Sequence, residues 1–277
     1  MNATCLTISN MNLKPYRVGQ KLKLKDIRTD EGDEERREQI EAETLTMSGE
    51  LAELQARLYA EGKQSLLVVF QARDAGGKDG TIKHVFAPFN PQGVKVVSFK
   101  VPSETEQKHD FLWRVHAQTP ETGMIAVFNR SHYEEVLVTR VHKLIDDKEA
   151  KQRFEHIRAF ESLLSGRGTR ILKIYLHISA EEQRTRLQDR LDDPHKRWKF
   201  NPGDLAERAL WKDYDRAYEA ALSATSTDEA PWYVIPADHK WYRNRLISEL
   251  LLLTLRSMNP QYPEPDYDFT NVTVGPI

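Results

Sequence analysis

The chain has 277 residues, 39% of them apolar and 30% charged, which excludes a disordered polymer and an array of membrane spans. A formal charge of −2 removes the broad basic footprint of a nucleic-acid binder, and one cysteine, Cys5, rules out an intramolecular disulfide framework. The length is long for one domain and short for two, so one α/β unit with a substantial insertion or arm is expected.

Residues 1–32 mix Lys-rich and polar stretches and predict an arm that packs over a neighbouring surface or stays mobile. Over 33–61, Met47, Leu51, Leu54 and Leu58 fall at steps of four, three and four, which predicts an amphipathic helix whose stripe serves as core or subunit contact. Short apolar runs at 66–70, 94–99, 124–128, 171–178 and 232–235 predict five strands. Helical stretches near 79–87, 105–118, 147–165 and 239–258 alternate with them, so the reading is a doubly wound, mainly parallel sheet in a three-layer α/β/α arrangement.

One region breaks this rhythm. From 179 to about 226 the chain is polar and helical without a strand, and it carries Arg184, Arg186, Arg190, Lys196, Arg197, Lys199, Arg208 and Lys212. A helical lid inserted at about 180–226 is expected, the plain alternative being a solvated pair of helices. The organisation is then 1–62 for arm and amphipathic helix, 63–258 for a core with its lid, and 259–277 for an extended tail containing Pro260, Pro263 and Pro265. No signal-peptide pattern is seen, and the apolar run near 250–253 is far too short to cross a bilayer, so a cytoplasmic protein without membrane attachment is expected.

The strongest local signal is ARDAGGKDGT at 72–81, placed after a strand and before a helix. Glycines there let backbone N–H groups turn inward around phosphate oxygens, the helix adds its positive end, and Lys78 supplies a point charge. Arg73, Ala75, Gly76, Gly77, Lys78, Asp79, Gly80 and Thr81 are therefore candidate phosphate ligands, the plain alternative being a Gly-rich turn with a surface lysine. The match to a P-loop is imperfect, because Ala72 replaces the first glycine and Asp79 the hydroxyl residue that ligands Mg²⁺. A carboxylate beside phosphates needs a cation between them, so Asp74, and after it Asp79, are assigned to Mg²⁺ or to an acceptor oxygen.

A second signal, FNRSHYEE at 128–135, starts at a strand's carboxyl end, where open α/β sheets bind ligands. Asn129 stands where a P-loop enzyme has a metal-holding Asp, and Arg130 can grip phosphate oxygens bidentately. Alone, the segment reads equally as a helix start capped by Ser131 with Glu134 in its first turn. The stretches KHDFLWRVH at 108–116 and VTRVH at 138–142 place further cations near the expected cleft. The nine histidines lack paired ligand spacing, which argues against a transition-metal centre.

Taken together, ARDAGGKDGT, FNRSHYE and the lid stretch RWKFNPGDLAERALWKDY at 197–214 resemble the polyphosphate kinase 2 family, over roughly 24–258. KHDFLWR at 108–114 with RSHYEEVLVTRVH at 130–142 looks closest to the subgroup acting on nucleoside mono- and diphosphates. The resemblance implies a thymidylate-kinase-like fold with a cationic helical lid and a homo-oligomer. It implies Mg²⁺-dependent transfer, with Mn²⁺ as a substitute ion, from inorganic polyphosphate to AMP or ADP, and to GMP or GDP as a further pair. Carried over by position, Asp74 matches the family's loop carboxylate and metal ligand, Lys78 its P-loop lysine and Arg130 the arginine of the second motif, making these the catalytic candidates. Arg190 is expected to close over the transferred phosphate, and Asn129, Arg130, His132, Glu135 and Arg140 to bind the nucleotide.

The nearest rival is a conventional ATP-dependent nucleoside monophosphate kinase, which would keep Ser or Thr at position 79. A nucleotide-dependent switch is disfavoured by the lack of an N-K-x-D motif, and a scaffold would leave all three motifs as coincidence.

Overall fold

The computed structural model describes residues 12–270 and 272–276; the first eleven residues of the expected arm, Cys5 among them, lie outside the described residues, as do Asn271 and Ile277 of the tail. Five strands form one sheet: β1 (Ser65–Ala72), β2 (Val94–Ser98), β3 (Ile125–Asn129), β4 (Thr169–His177) and β5 (Trp232–Pro236). They run parallel in the order β2-β3-β1-β4-β5. Every residue of β1 is buried, because helices cover both faces of a parallel sheet.

The alternation of side chains along β1 divides the core. Leu66, Val68 and Phe70 join Met47, Leu51, Leu54 and Leu58 of α1 (Arg37–Glu61) and the buried leucines of α10 (Lys240–Met258). Leu67 and Val69 face the opposite layer, made by α5 (Glu134–Val141), α6 (Asp147–Gly166) and α9 (Trp211–Thr225). The α1 stripe is thus consumed inside the chain and gives no argument for a homo-oligomer. At this interface Arg245, fully buried, bonds Glu249 of its own helix and reaches Glu43 of α1 at 3.4 Å.

Two expectations need correction. The single helix expected over 105–118 is two short ones, α3 (Glu104–Gln107) and α4 (Trp113–His116). A capping box from Ser103 starts the first, and the Asp110 carboxylate accepts from Leu112 N at 2.9 Å, turning the chain before the second. The lid is shorter than the expected insertion: after α7 (Ala180–Asp192) and α8 (Gly203–Ala209), Ala217, Tyr218, Ala221 and Leu222 of α9 belong to the core. Of the two alternatives open for the arm, its described part takes the packed one, with Leu13, Tyr16, Val18, Leu22 and Leu24 buried. Val18 N donates to Trp232 O at 2.9 Å, which covers the free edge of β5.

Beneath the second motif lies a buried polar network. Lys173 of β4 donates to Glu161 Oε2 of α6 at 2.6 Å, to Tyr133 Oη at 2.9 Å and to Thr225 O at 2.7 Å. Burial pushes the Glu161 carboxyl up, but Lys173 and His132 more than offset this and leave it below its ordinary 4.5. Its contribution to stability is therefore full above that value and fades as pH falls below it. Replacing one partner leaves a buried charge uncompensated, so Lys173→Met should cost about 3–5 kcal/mol in urea unfolding at pH 7, with a smaller difference from wild type in acid.

Candidate active site

The loop leaving β1 bends sharply before α2 (Lys78–Val85). Gly76 N donates to Arg73 O at 3.0 Å, Ala75 takes φ of 56° and Gly77 of 98°. A Cβ at position 76 would lie 2.6 Å from Ala72 Cβ and 2.8 Å from Arg73 O, so only glycine fits. Lys78 is drawn into this curve, its Nζ donating to Ala72 O at 3.0 Å. Burial, reinforced by the charge of Arg130, holds its ammonium below the ordinary lysine range.

The second motif supplies the facing wall. Arg130 follows β3 in the left-handed region, φ 62°, with its N donating to Phe70 O at 3.0 Å. That pose aims its Nη2 at Asp74 Oδ1, 3.0 Å away. Asn129 Nδ2 donates to Asp79 Oδ1 at 2.7 Å, tying the end of β3 to the first turn of α2. From the lid side, Arg190 of α7 reaches Asp204 Oδ2 of α8 at 3.2 Å.

Two cavities meet here. One, about 670 Å³, is a groove floored by residues 74–80 and lined by cations, among them Arg130, Arg186, Arg190, Lys196, Lys199 and Lys240. The other, about 330 Å³, lies under the lid between Glu134, Val138, Glu207, Trp211, Tyr214 and Tyr218. Asp74, Val101, Arg130 and Asp204 line both. Burial and then the Asp74 charge raise the Asp204 carboxyl above its ordinary value, against the pull of Arg190 and Arg130.

This junction also tests the fit of a Mg²⁺ ion. Asp74 and Asp204 are hard oxygen donors whose charges strain against each other, the setting a divalent cation relieves. Among the described residues no group of three metal-ligating side chains exists, so the remaining ligands of such an ion would be phosphate oxygens and water.

Of the residues singled out in the sequence, Asp74, Ala75, Gly76, Gly77, Lys78, Asp79, Gly80, Asn129, Arg130 and Arg190 line the groove together. Five others do not serve as expected. Thr81 is buried and its Oγ1 donates back to Gly77 O at 2.9 Å, satisfying its own helix. The Arg73 guanidinium turns from the phosphate side to stack 3.8 Å over the Trp211 ring and bond Asp215 at 2.5 Å, fastening the loop to the start of α9 just beyond the lid. His132 points into the core, 3.5 Å from Glu161. Glu135 lies a helical step of 100° beyond Glu134 and faces Arg114 and Arg153, at 3.4 and 3.5 Å, in a separate cavity of about 760 Å³. Arg140 is bound to Asp147 at 2.8 Å outside the groove.

Three residues of the site were missed. Glu134 closes the inner cavity; burial raises its carboxyl, while Arg130 and Lys78 pull it down. Its spacing of four from Arg130 is the helical ion-pair signal that could have shown it. Asp204 lay inside the lid motif without a role, and Trp211 with it; neither has a local signal for facing Asp74 or Arg73.

A parallel sheet whose first strand runs into a glycine loop, a buried lysine and a helix N-terminus, beneath a cationic lid, defines a P-loop kinase-type phosphoryl-transfer fold. The chain belongs to the polyphosphate kinase 2 family, whose model matches residues 34–263. An AMP/ADP-polyphosphate phosphotransferase from Meiothermus ruber is 57% identical over 78% of this chain and 81% of its own. An ADP-polyphosphate phosphotransferase from Rhodopseudomonas palustris is 48% identical over 77% and 78%. The crystal structure of a polyphosphate kinase 2 from Arthrobacter aurescens superposes with a TM-score of 0.89 at 43% identity, covering 92% of both chains.

Lys78→Met and Asp74→Asn are each expected to lower turnover by about 10²–10³-fold with the fold intact by circular dichroism, since the first removes a cation and the second a carboxylate charge from the groove floor. Arg140→Ala, outside the groove, should leave turnover unchanged in the same assay.

Proposed function

We propose that the protein transfers phosphoryl groups from inorganic polyphosphate to AMP and ADP, giving ADP and ATP. The observation that carries this reading is the junction of two cavities at Asp74, Arg130 and Asp204. A long groove lined by cations suits a linear polyanion, and it does so on a chain whose net charge is −2. The smaller cavity, at about 330 Å³, suits a mononucleotide, with Trp211, Tyr214 and Tyr218 offering aromatic faces to a base. Aromatic faces do not choose between purines, so the acceptor class extends to GMP and GDP.

In this reading an oxygen of the acceptor phosphate forms the new P–O bond. The bond to the bridging oxygen of the chain breaks, and polyphosphate one unit shorter leaves. Lys78, Arg130 and the loop N–H groups neutralise charge spread over the equatorial oxygens, and Arg190 covers them from the lid. Asp74, held by Arg130, orients the acceptor. Mg²⁺, or Mn²⁺ in its place, would be held by Asp74 with phosphate oxygens and would supply further charge neutralisation. A conventional ATP-dependent monophosphate kinase is less well served by this site, because Asp79 and Asn129 bond each other where such an enzyme places its Mg²⁺-binding hydroxyl and carboxylate.

Purified protein incubated with long-chain polyphosphate, Mg²⁺ and AMP or ADP, without ATP, should form ADP and ATP by chromatography. If these lanes stay blank while ATP plus AMP reacts, the conventional kinase reading takes its place.

A further inference from the structure

The phosphate loop rests on a pair of guanidinium groups that neither motif contains. Arg186 of α7 donates to Ala75 O at 3.1 Å and Ala237 O at 2.6 Å, and pairs with Glu182 at 2.7 Å. Its requirements are met. Beside it, Arg243 in the first turn of α10 is only 3% exposed and sits directly against Gly77: a Cβ built there would overlap its Nη1 and lie 3.3 Å from Arg186 Nη1.

Arg243 is in an unusual electrostatic position. Among the described residues its guanidinium has one hydrogen-bond partner, the neutral Asn244 Oδ1, reached from Nη2 at 2.9 Å and Nε at 3.2 Å. Among the described residues no carboxylate forms an ion pair with it. Burial, and after it the like charge of Arg186, pull the guanidinium down to about 9. The helix start adds to this, since the first turn of α10 holds no acid and the helix dipole opposes a cation there. A buried charge without a counter-ion is among the costliest arrangements in a fold. Yet it stands at the one place where the loop N–H groups, the start of α2, Lys78 and Lys240 already favour an anion.

Building on the function proposed above, we infer that Arg243 is a positioning residue for the polyphosphate chain: its buried charge, seated with Arg186 against Gly77, is balanced by a phosphate group in the loop and by no acidic side chain of the protein. Binding of the chain then relieves a strain that the free fold bears, and the loop is held in its curved form from behind. The residue acts through Gly77, without entering the groove.

Arg243→Met and Arg243→Lys test this by melting temperature, free and with long-chain polyphosphate, together with steady-state kinetics. For Arg243→Met the free protein should melt at or above the wild-type temperature, and the rise on adding polyphosphate should fall by at least about half. KM for polyphosphate should rise about tenfold or more, with KM for AMP and kcat changed less than about twofold. Arg243→Lys, which keeps the charge, should restore most of the polyphosphate response. A Met variant that melts lower than wild type or does not fold marks a structural role and overturns the inference, as does an unchanged KM. If wild type itself neither turns over nor is stabilised with polyphosphate, the proposed function falls first.

Discussion

The curve of the chain between Arg73 and Lys78 is the constraint on which the rest of the site depends. It brings Lys78 Nζ under the carbonyl of Ala72 and sets residues 74–80 along one groove. The curve is affordable because β1 is the central strand, buried on both faces and paired with β3 and β4 along its length. Gly76 admits the close approach of Ala72, and Gly77 admits both a positive φ and the guanidinium of Arg243. Two of the three consecutive residues Ala75, Gly76 and Gly77 are thus fixed by sterics before any charge is considered.

Around this loop the molecule places its cations so that each is restrained by the chain. Arg130 is held by Asp74, Arg190 by Asp204, Arg186 by backbone carbonyls, and Arg73 by Trp211 and Asp215. The restraint matters because a flexible cation must lose side-chain entropy when it grips a phosphate, whereas one already held does not. The Arg73–Trp211 stack also links the phosphate loop to the lid's base, so the geometry of one depends on the position of the other. The network of Lys173, Glu161 and Tyr133 does the same for the second motif, pinning Tyr133 three residues beyond Arg130.

Much of this was legible in the sequence. The five apolar runs became the five strands, and ARDAGGKDGT became a phosphate loop because strand, glycines, lysine and helix start are all local features. Side-chain direction was not local. His132, Glu135 and Arg140 sit in the right segment, yet the direction of His132, in the turn before α5, is fixed by the core around Glu161, and that of Glu135 and Arg140 by the 100° step of α5 and the partners Arg114 and Asp147. Thr81 matched a motif position whose hydroxyl its own helix claims. Asp204, Trp211 and Arg243 approach the loop across about 130 to 170 residues of chain, a distance at which spacing carries no signal. The helix expected over 105–118 failed for a simpler reason, since Asp110 offers the backbone a turn in place of a continuing helix.

If loop curvature at Gly77 creates the phosphate site, calorimetric titration of long-chain polyphosphate into Gly77→Ala and Gly80→Ala proteins will separate the two variants. A methyl group at position 80 meets nothing within 4 Å, whereas at position 77 it requires φ of 98° and displaces Arg243. Gly80→Ala should bind like wild type and Gly77→Ala should lose binding by about tenfold or more while still folding, given a backbone cost of about 1–2 kcal/mol. Wild-type affinity in a folded Gly77→Ala protein would contradict it.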